Sequence, residues 1–198
     1  MVSISRLTLG LVFIVATAAC SGPTVSRGGE DESIDQAALS TRLDRVDLEG
    51  ALDDWYEEFQ GSGFIRNLST DNRRSISVLQ IKNETSQHIA SGLKALIKSV
   101  ETKVVNDGVL DVISNDQIAI DAIAGERLRG DAVDPETMAR LGKELGVHYF
   151  IYGNVGEVTE KLSDKKRVQY FLFLTVVEVE TRRNVFQMQV DITKQIAG

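Results

Sequence analysis

The chain has 198 residues, and 42% of them are hydrophobic, which is enough apolar material for the core of one ordinary domain. Its formal net charge is −7. Nucleic acids and anionic lipid surfaces are polyanions, so this acidic balance argues against both, and we expect no nucleic acid as a partner. A single cysteine excludes an internal disulfide.

The N-terminus has the parts of an export signal. Arg6 supplies a positive charge, and Leu7–Ala16 is an apolar run of about ten residues, which is too short to span a bilayer. Small residues then precede Cys20, the arrangement that a lipoprotein-specific signal peptidase requires. We therefore predict a lipoprotein signal peptide over residues 1–19 and lipidation of Cys20, whose acyl chains would hold the mature protein on a membrane.

Two other interpretations of this segment are weaker. An ordinary signal peptide with a chance cysteine would leave the only thiol without a purpose, and a transmembrane anchor would need a longer apolar run than the one that ends before Ser21-Gly22-Pro23. Ser21 follows the predicted lipidation site, where Asp is the usual inner-membrane retention signal in enteric bacteria. Its presence favours the outer membrane, with the protein facing the periplasm.

The stretch after the cysteine is predicted to be a tether. Residues 21–40 are rich in Gly, Ser and acidic residues and have almost no aromatic or large apolar side chains, so they cannot bury enough surface to fold alone. The predicted organisation is a lipidated cysteine and flexible tether over residues 20–43, followed by one globular domain over residues 44–198.

Six elements are predicted in the first part of that domain. Asp47 begins an amphipathic helix that ends near Phe59, and Ser75–Lys82 is a strand with apolar residues on both faces. A second helix has an apolar stripe from Ile89 to Val104 and ends at Asn106-Asp107-Gly108. The remaining three are a short strand Val109–Ser114, a helix beginning at Asn115 or Asp116, and a helix that Asp134-Pro135-Glu136 opens and Gly146 ends.

The last third of the chain is predicted to be three long strands. They are Val147–Glu160, Arg167–Glu180 and Asn184–Gln195, joined by the short polar connections Lys161–Lys166 and Thr181–Asn184. Short connections predict an antiparallel C-terminal meander, and the earlier strands join the same sheet by crossovers. The predicted fold is an α/β, single mixed-sheet sandwich of order α-β-α-β-α-α-β-β-β, with helices mainly on one face.

Catalytic motifs are not apparent. Neither His88 nor His148 has a second His or Cys at metal-ligand spacing, and no glycine-rich stretch completes a phosphate-binding loop. The acidic residues at positions 53, 54, 57 and 58 are more simply a solvated helix face than a cation site. We therefore predict that the protein is not an enzyme and has no metal site and no cofactor.

Five segments together resemble one known family. In chain order they are SISVLQIKNET with Asn83 and Thr85 at its end, the helix with Gly92-Leu93, the segment Gly108–Ser114, the run Gly146–Gly153 with its tyrosines, and the hairpin from Leu174 to Phe186. This chain is similar to the LpoB-type outer-membrane lipoprotein activators of class A penicillin-binding proteins. The tether is shorter and poorer in proline than is typical of the family, and Phe186 stands where Trp is common.

The resemblance implies a non-enzymatic regulator. Its domain would dock on a regulatory domain of a class A penicillin-binding protein and stimulate peptidoglycan synthesis, while acyl chains on Cys20 hold it to the membrane. For the partner contact we predict the loop after the first strand, with Asn83 and Thr85, and the exposed aromatic residues Tyr149 and Tyr152.

Two alternatives remain from the sequence. The same domain shape resembles lipoproteins of envelope assembly or secretion, of the curli-secretion or Tol type, although a pore-forming member would need longer amphipathic strands. A lipid-anchored enzyme would need a cluster of titratable residues in a pocket.

Overall fold

The structure is a computed structural model, and it describes residues 40–68, 74–114, 135–162 and 165–197. The predicted signal peptide, nearly all of the tether and the helix predicted from Asn115 or Asp116 lie outside the described residues. In chain order the elements are α1 (Arg45–Gln60), α2 (Gly63–Arg66), β1 (Ser75–Glu84), α3 (Ala90–Asp107), β2 (Asp111–Val112), α4 (Pro135–Leu145), β3 (Tyr149–Leu162), β4 (Lys165–Glu178) and β5 (Asn184–Ala197). Apart from the short α2, which was not predicted, the order of these elements agrees with the predicted one, and the helix predicted from Asn115 or Asp116 stays a prediction.

The five strands form one mixed sheet in the order β2-β1-β3-β4-β5. β1 is parallel to both β2 and β3, so the chain crosses over the sheet between them, whereas β3, β4 and β5 form the predicted antiparallel meander. Leu162 pairs with Lys165, which leaves a two-residue connection. The hairpin is therefore tighter than the predicted Lys161–Lys166 connection, because both strands continue into it.

Helices cover both faces of this sheet. The first face carries the larger core, in which α1 and α3 pack against alternate residues of the strands around the fully buried Trp55. The second face carries a smaller cluster of Leu79, Leu141, Val147, Phe150, Val177 and Val179, to which α4 contributes. The expectation that helices lie mainly on one face holds for α1 and α3. Helix α4 packs on the opposite face, where the absence of a side chain at Gly142 leaves room for Val179.

Helix α1 begins earlier than predicted. Its N-cap is Asp44, whose carboxylate accepts a hydrogen bond from the backbone N–H of Asp47 at 3.1 Å. In return, the carboxylate of Asp47 accepts from the backbone N–H of Asp44 at 2.8 Å. Asp47 is therefore the third helical residue of a capping box and not the cap, since both positions carry a carboxylate that can serve either role.

Two glycines end helices as predicted. Gly108 follows α3 with φ of 70°, and Gly146 follows α4 with φ of 65°. This left-handed conformation strains residues with a Cβ, which is why glycine is common there.

Strand β1 continues two residues past its predicted end to Glu84, whereas β2 has only two of the six predicted residues.

Candidate functional site

The loop that follows β1 is shaped by the two side chains predicted for partner contact. Asn83 Oδ1 accepts hydrogen bonds from the backbone N–H and the hydroxyl of Thr85, at 3.0 and 2.8 Å. Asn83 Nδ2 donates to the carbonyl of Gln87 at 2.7 Å, and Thr85 Oγ1 accepts from the backbone N–H of Gln87 at 3.1 Å. Asn and Thr side chains stabilise turns in this way, so the loop is held in one conformation. Asn83 is exposed and Thr85 is half-buried.

The two predicted tyrosines lie on opposite faces of the sheet. Tyr149 is only 7% exposed, and its ring meets that of Phe64 edge-on with 4.9 Å between centroids. Burial, followed by the charge of Glu178, raises the pKa of Tyr149. The prediction that Tyr149 is exposed is therefore wrong, because α2 places Phe64 against it. Tyr152 is half-buried and packs against the cluster on the second face.

Gln87 connects this loop to the end of the tether. Its side-chain oxygen accepts from the backbone N–H of Leu43 at 3.2 Å, and its amide group donates to the hydroxyl of Tyr170. The Tyr170 hydroxyl in turn donates to the carbonyl of Thr41 at 2.6 Å. The chain thus approaches α1 beside the β1–α3 loop. Sequence reasoning missed this network, because its members are 44 to 129 residues apart and no local pattern signals them.

A largely buried lysine, Lys194, fixes the same approach from β5. Lys194, whose side chain is 13% exposed, contacts the carboxylates of Asp47 at 2.5 Å and Asp44 at 3.2 Å, and donates to the carbonyl of Arg42 at 2.8 Å. Burial lowers the pKa of Lys194, but the hydrogen bonds and charges of Asp47 and Asp44 outweigh it, and the net pKa is raised. The ammonium group is therefore favoured in the folded state.

We expect this lysine to make the domain sensitive to alkali. Because its pKa is raised, its contribution to stability is complete below the ordinary lysine value of 10.5 and is lost as the pH rises through the folded value. The pKa of the buried Tyr170 is also raised, so the stability that its neutral hydroxyl contributes begins to be lost as the pH rises above the ordinary tyrosine value of 10.0. Lys194→Met should lower the free energy of unfolding by about 2 kcal/mol at pH 8. Urea unfolding at pH 8, 10 and 11.5 measures both effects, and equal pH slopes for wild type and variant would contradict the assignment.

A serine and a histidine meet where β1 and β3 begin. His148 Nδ1 lies 2.7 Å from Ser75 Oγ and 3.2 Å from the backbone nitrogen of Ser75. Ser75 Oγ also lies 2.7 Å from the carbonyl oxygen of Gly146, to which it can donate. Ser75 is buried, so these contacts join the start of β1 to the start of β3.

The histidines do not form a metal site in the part of the chain that the structure describes. Within residues 40–68, 74–114, 135–162 and 165–197, no three His, Cys, Asp or Glu side chains form a group that could hold a metal ion. Among these same residues, no helix is both long and apolar enough to cross a membrane.

The second face of the sheet is buried near α4 and open farther along β4. Val177 and Thr175 are buried, whereas Phe173 and Phe171 are half-buried and belong to neither hydrophobic cluster of the described residues. No atom of the described residues lies within 4 Å of the position that a Cβ on Gly156 would take, so there is free space beside Phe171. We call this surface the open face, and define it as Asn154, Gly156, Phe171, Phe173, Gln189 and Asp191.

The chain matches one family model in sequence, and solved structures resemble it in fold. A model of the family described as "Peptidoglycan-synthase activator LpoB" matches residues 47–192. The C-terminal domain of LpoB from Salmonella enterica is 10% identical, with a TM-score of 0.49 over 74% of this chain and 98% of that one. The corresponding Escherichia coli domain is 11% identical, with a TM-score of 0.48 over 75% and 99%.

A third solved structure comes from another genus. Lipoprotein GNA1162 from Neisseria meningitidis is 14% identical, with a TM-score of 0.44 over 62% of this chain and 83% of that one. No curated protein matches the chain in sequence.

Proposed function

Because the chain belongs to the LpoB family of peptidoglycan-synthase activators, we propose that it binds and stimulates a class A penicillin-binding protein. The family is one of activators and not of enzymes. The observation that supports the proposal most directly is the extent of the family match, residues 47–192, which reaches from α1 into β5 and so includes both cores. The activator would act by binding the active conformation of the synthase more tightly than the inactive one, because only differential affinity shifts such an equilibrium.

We propose the β1–α3 loop as the centre of the contact with a regulatory domain of the synthase. Its side-chain hydrogen bonds hold Asn83 and Thr85 in place before binding, which reduces the entropy lost on association. Two further bonds hold the loop against β3, from Ser86 N to Glu157 Oε1 at 3.1 Å and from Asn154 Nδ2 to Glu84 Oε2 at 2.7 Å. Tyr152 remains a proposed contact, whereas the burial of Tyr149 removes it.

We further propose that acyl chains on Cys20 anchor the protein in the outer membrane, facing the periplasm. Helix α1 packs on the sheet, and Thr41, Arg42 and Leu43 are bonded to the domain, so the reach depends on residues 20–40. Fully extended, these roughly 21 residues span on the order of 70 Å, and as a coil they average about 25 Å. A partner in the inner membrane would therefore require a largely extended tether.

The proposal is tested by adding the full mature chain to purified class A penicillin-binding proteins and following glycan synthesis from lipid II. We expect a several-fold rise in rate with one synthase. Asn83→Ala and Thr85→Ala should abolish most of that rise, because the first removes three of the bonds that shape the loop and the second removes two. Asn83→Asp should keep much of it, because the carboxylate retains the acceptor that Thr85 uses.

Matched controls come from α3. Asn106→Ala and Thr102→Ala remove exposed side chains of the same types away from the loop, and we expect stimulation to be unchanged. Absence of both binding and rate change with every class A synthase would refute the proposal. An envelope assembly or secretion role of the curli-secretion or Tol type would then be the next to test.

A further inference from the structure

We propose that the open face is a binding site for an uncharged glycan strand, of the kind built from N-acetylated hexosamines. This function goes beyond stimulation of a synthase and does not depend on it. The inference rests on the arrangement of aromatic and carboxamide side chains on the second face of the sheet, on the space beside them, and on the near neutrality of that face in an acidic protein.

The aromatic residues are arranged as a platform. Phe171 and Phe173 are two residues apart on β4, so both rings lie on the same face, with Cα atoms about 7 Å apart. β4 has neighbours on both sides, so the platform is about two strand spacings, or roughly 10 Å, wide. The residues in register with them are Asn154 and Gly156 on β3, and Gln189 and Asp191 on β5.

The platform is accessible and borders an unused polar group. Both phenylalanines are half-buried, and the free space at Gly156 lies directly beside Phe171. Next along β4, the hydroxyl of Thr175 is fully buried and has no hydrogen-bond partner among the described residues. Two adjacent rings that keep part of their surface in water fit a ligand or partner surface.

The charge of the open face favours an uncharged ligand. Among the described residues, six charged side chains project from this face, and two ion pairs, Lys82 with Glu84 and Arg167 with Glu160, account for four of them. The other two are Lys165, at the start of β4, and Asp191, which accepts a hydrogen bond from Gln189 Nε2 at 2.7 Å. The face thus carries no net charge in a chain whose formal charge is −7. A surface that selects a charged partner would instead present a complementary field.

The remaining side chains fit a sugar. A pyranose ring has C–H groups on its faces and hydroxyl or acetamido groups around its edge. The negative face of an aromatic ring attracts the C–H groups, and a carboxamide both donates to and accepts from the edge groups. The uncharged polar side chains on this face of β3, β4 and β5 are Asn154, Gln169, Gln187, Gln189, Thr193 and Gln195. Some of these side chains already bond a neighbour, as Asn154 does with Glu84 and Gln189 with Asp191, but a carboxamide can form more than one hydrogen bond and so can also serve a ligand.

The test uses the full mature chain with two probes, the β-1,4-linked hexamer of N-acetylglucosamine and purified peptidoglycan sacculi. We expect binding to the hexamer by calorimetry and co-sedimentation with the sacculi. In an NMR titration the shifted amide signals should be those of the open face, and those of α3 should not move. Replacing both rings, with Phe171→Ser and Phe173→Ser, should weaken binding at least tenfold, whereas Phe→Tyr at both positions should keep it within threefold.

Val105→Ser is the matched control, because Val105 is an apolar α3 residue that is 56% exposed. It should leave glycan binding unchanged, and the double Ser variant should still stimulate the synthase. Absence of wild-type binding to both probes overturns the proposal. The proposal is also overturned if the double Ser variant loses synthase stimulation while the wild type binds no glycan. That result would identify the face as a protein contact. If the double variant fails to fold, Gln189→Ala and the wild-type NMR map decide, and shifts confined to other surfaces overturn the proposal.

Discussion

Replacing Trp55 by alanine should lower the free energy of unfolding by about 3–5 kcal/mol, the range for removing a large aromatic side chain from a core. The indole is 0% exposed, stacks on Phe59 with 5.0 Å between centroids, and meets Phe186 edge-on at 5.7 Å. Its Nε1 has no hydrogen-bond partner in the part of the chain that the structure describes, so the loss comes from packing. Trp55→Phe should therefore lower the free energy of unfolding much less than Trp55→Ala does.

Urea unfolding monitored by far-UV circular dichroism measures this difference. Asp54→Ala is the control, because Asp54 is exposed on the same helix, and its effect should stay within about 0.5 kcal/mol. A Trp55→Ala loss below about 1 kcal/mol would show that α1 is not part of the core. The result bears on function, since a helix that is stripped from the sheet would also free the tether end that Lys194 and Gln87 hold.

A second large effect is expected at Gly153, in the middle of β3. A Cβ on this residue would overlap the backbone carbonyl oxygen of Phe173 and approach the side chain of Leu174 at 2.7 Å. The carbonyl belongs to the β3–β4 ladder and cannot move without disturbing the pairing of both strands. We expect Gly153→Ala to destabilise the domain by about 3 kcal/mol, at the upper end of the usual cost of overpacking.

The same strand supplies the matched control. Gly156 is three residues farther on, and a Cβ there meets no atom within 4 Å. Gly156→Ala should therefore be neutral or slightly stabilising, since alanine restricts the unfolded chain more than glycine does. Similar thermal melting shifts for the two variants would contradict the packing described for β3. Gly156→Ala also adds a methyl group to the open face, so a loss of glycan binding without a loss of stability would support the proposed site.

The predictions that succeeded depend on local patterns. The apolar stripe from Ile89 to Val104 identified α3, and alternation with short polar connections identified β3, β4 and β5. Gly108 and Gly146 ended helices because the left-handed conformation is a property of one residue and its neighbours. The element order followed from these signals, and the mixed sheet followed from the order, since short connections require antiparallel pairing and crossovers allow parallel pairing.

The predictions that failed concern residues whose environment is supplied from elsewhere in the chain. Tyr149 has the alternation of a strand residue, but its burial depends on Phe64, which lies 85 positions earlier in the unpredicted α2. Asp47 is a residue type that often caps helices, but Asp44 takes that role. Lys194, from the other end of the domain, contacts both carboxylates.

Sequence patterns alone were enough to place the strongly periodic helices and strands and to identify the family to which the chain belongs, and the export signal stays a prediction from the same patterns. The tertiary structure was needed to show which face of the sheet α4 covers, how Gln87 joins the β1–α3 loop to the tether end, and which aromatic rings are partly accessible. Periodicity shows that a strand residue alternates between faces, but it does not show what packs against each face. That depends on contacts between residues far apart in sequence, which no local pattern encodes.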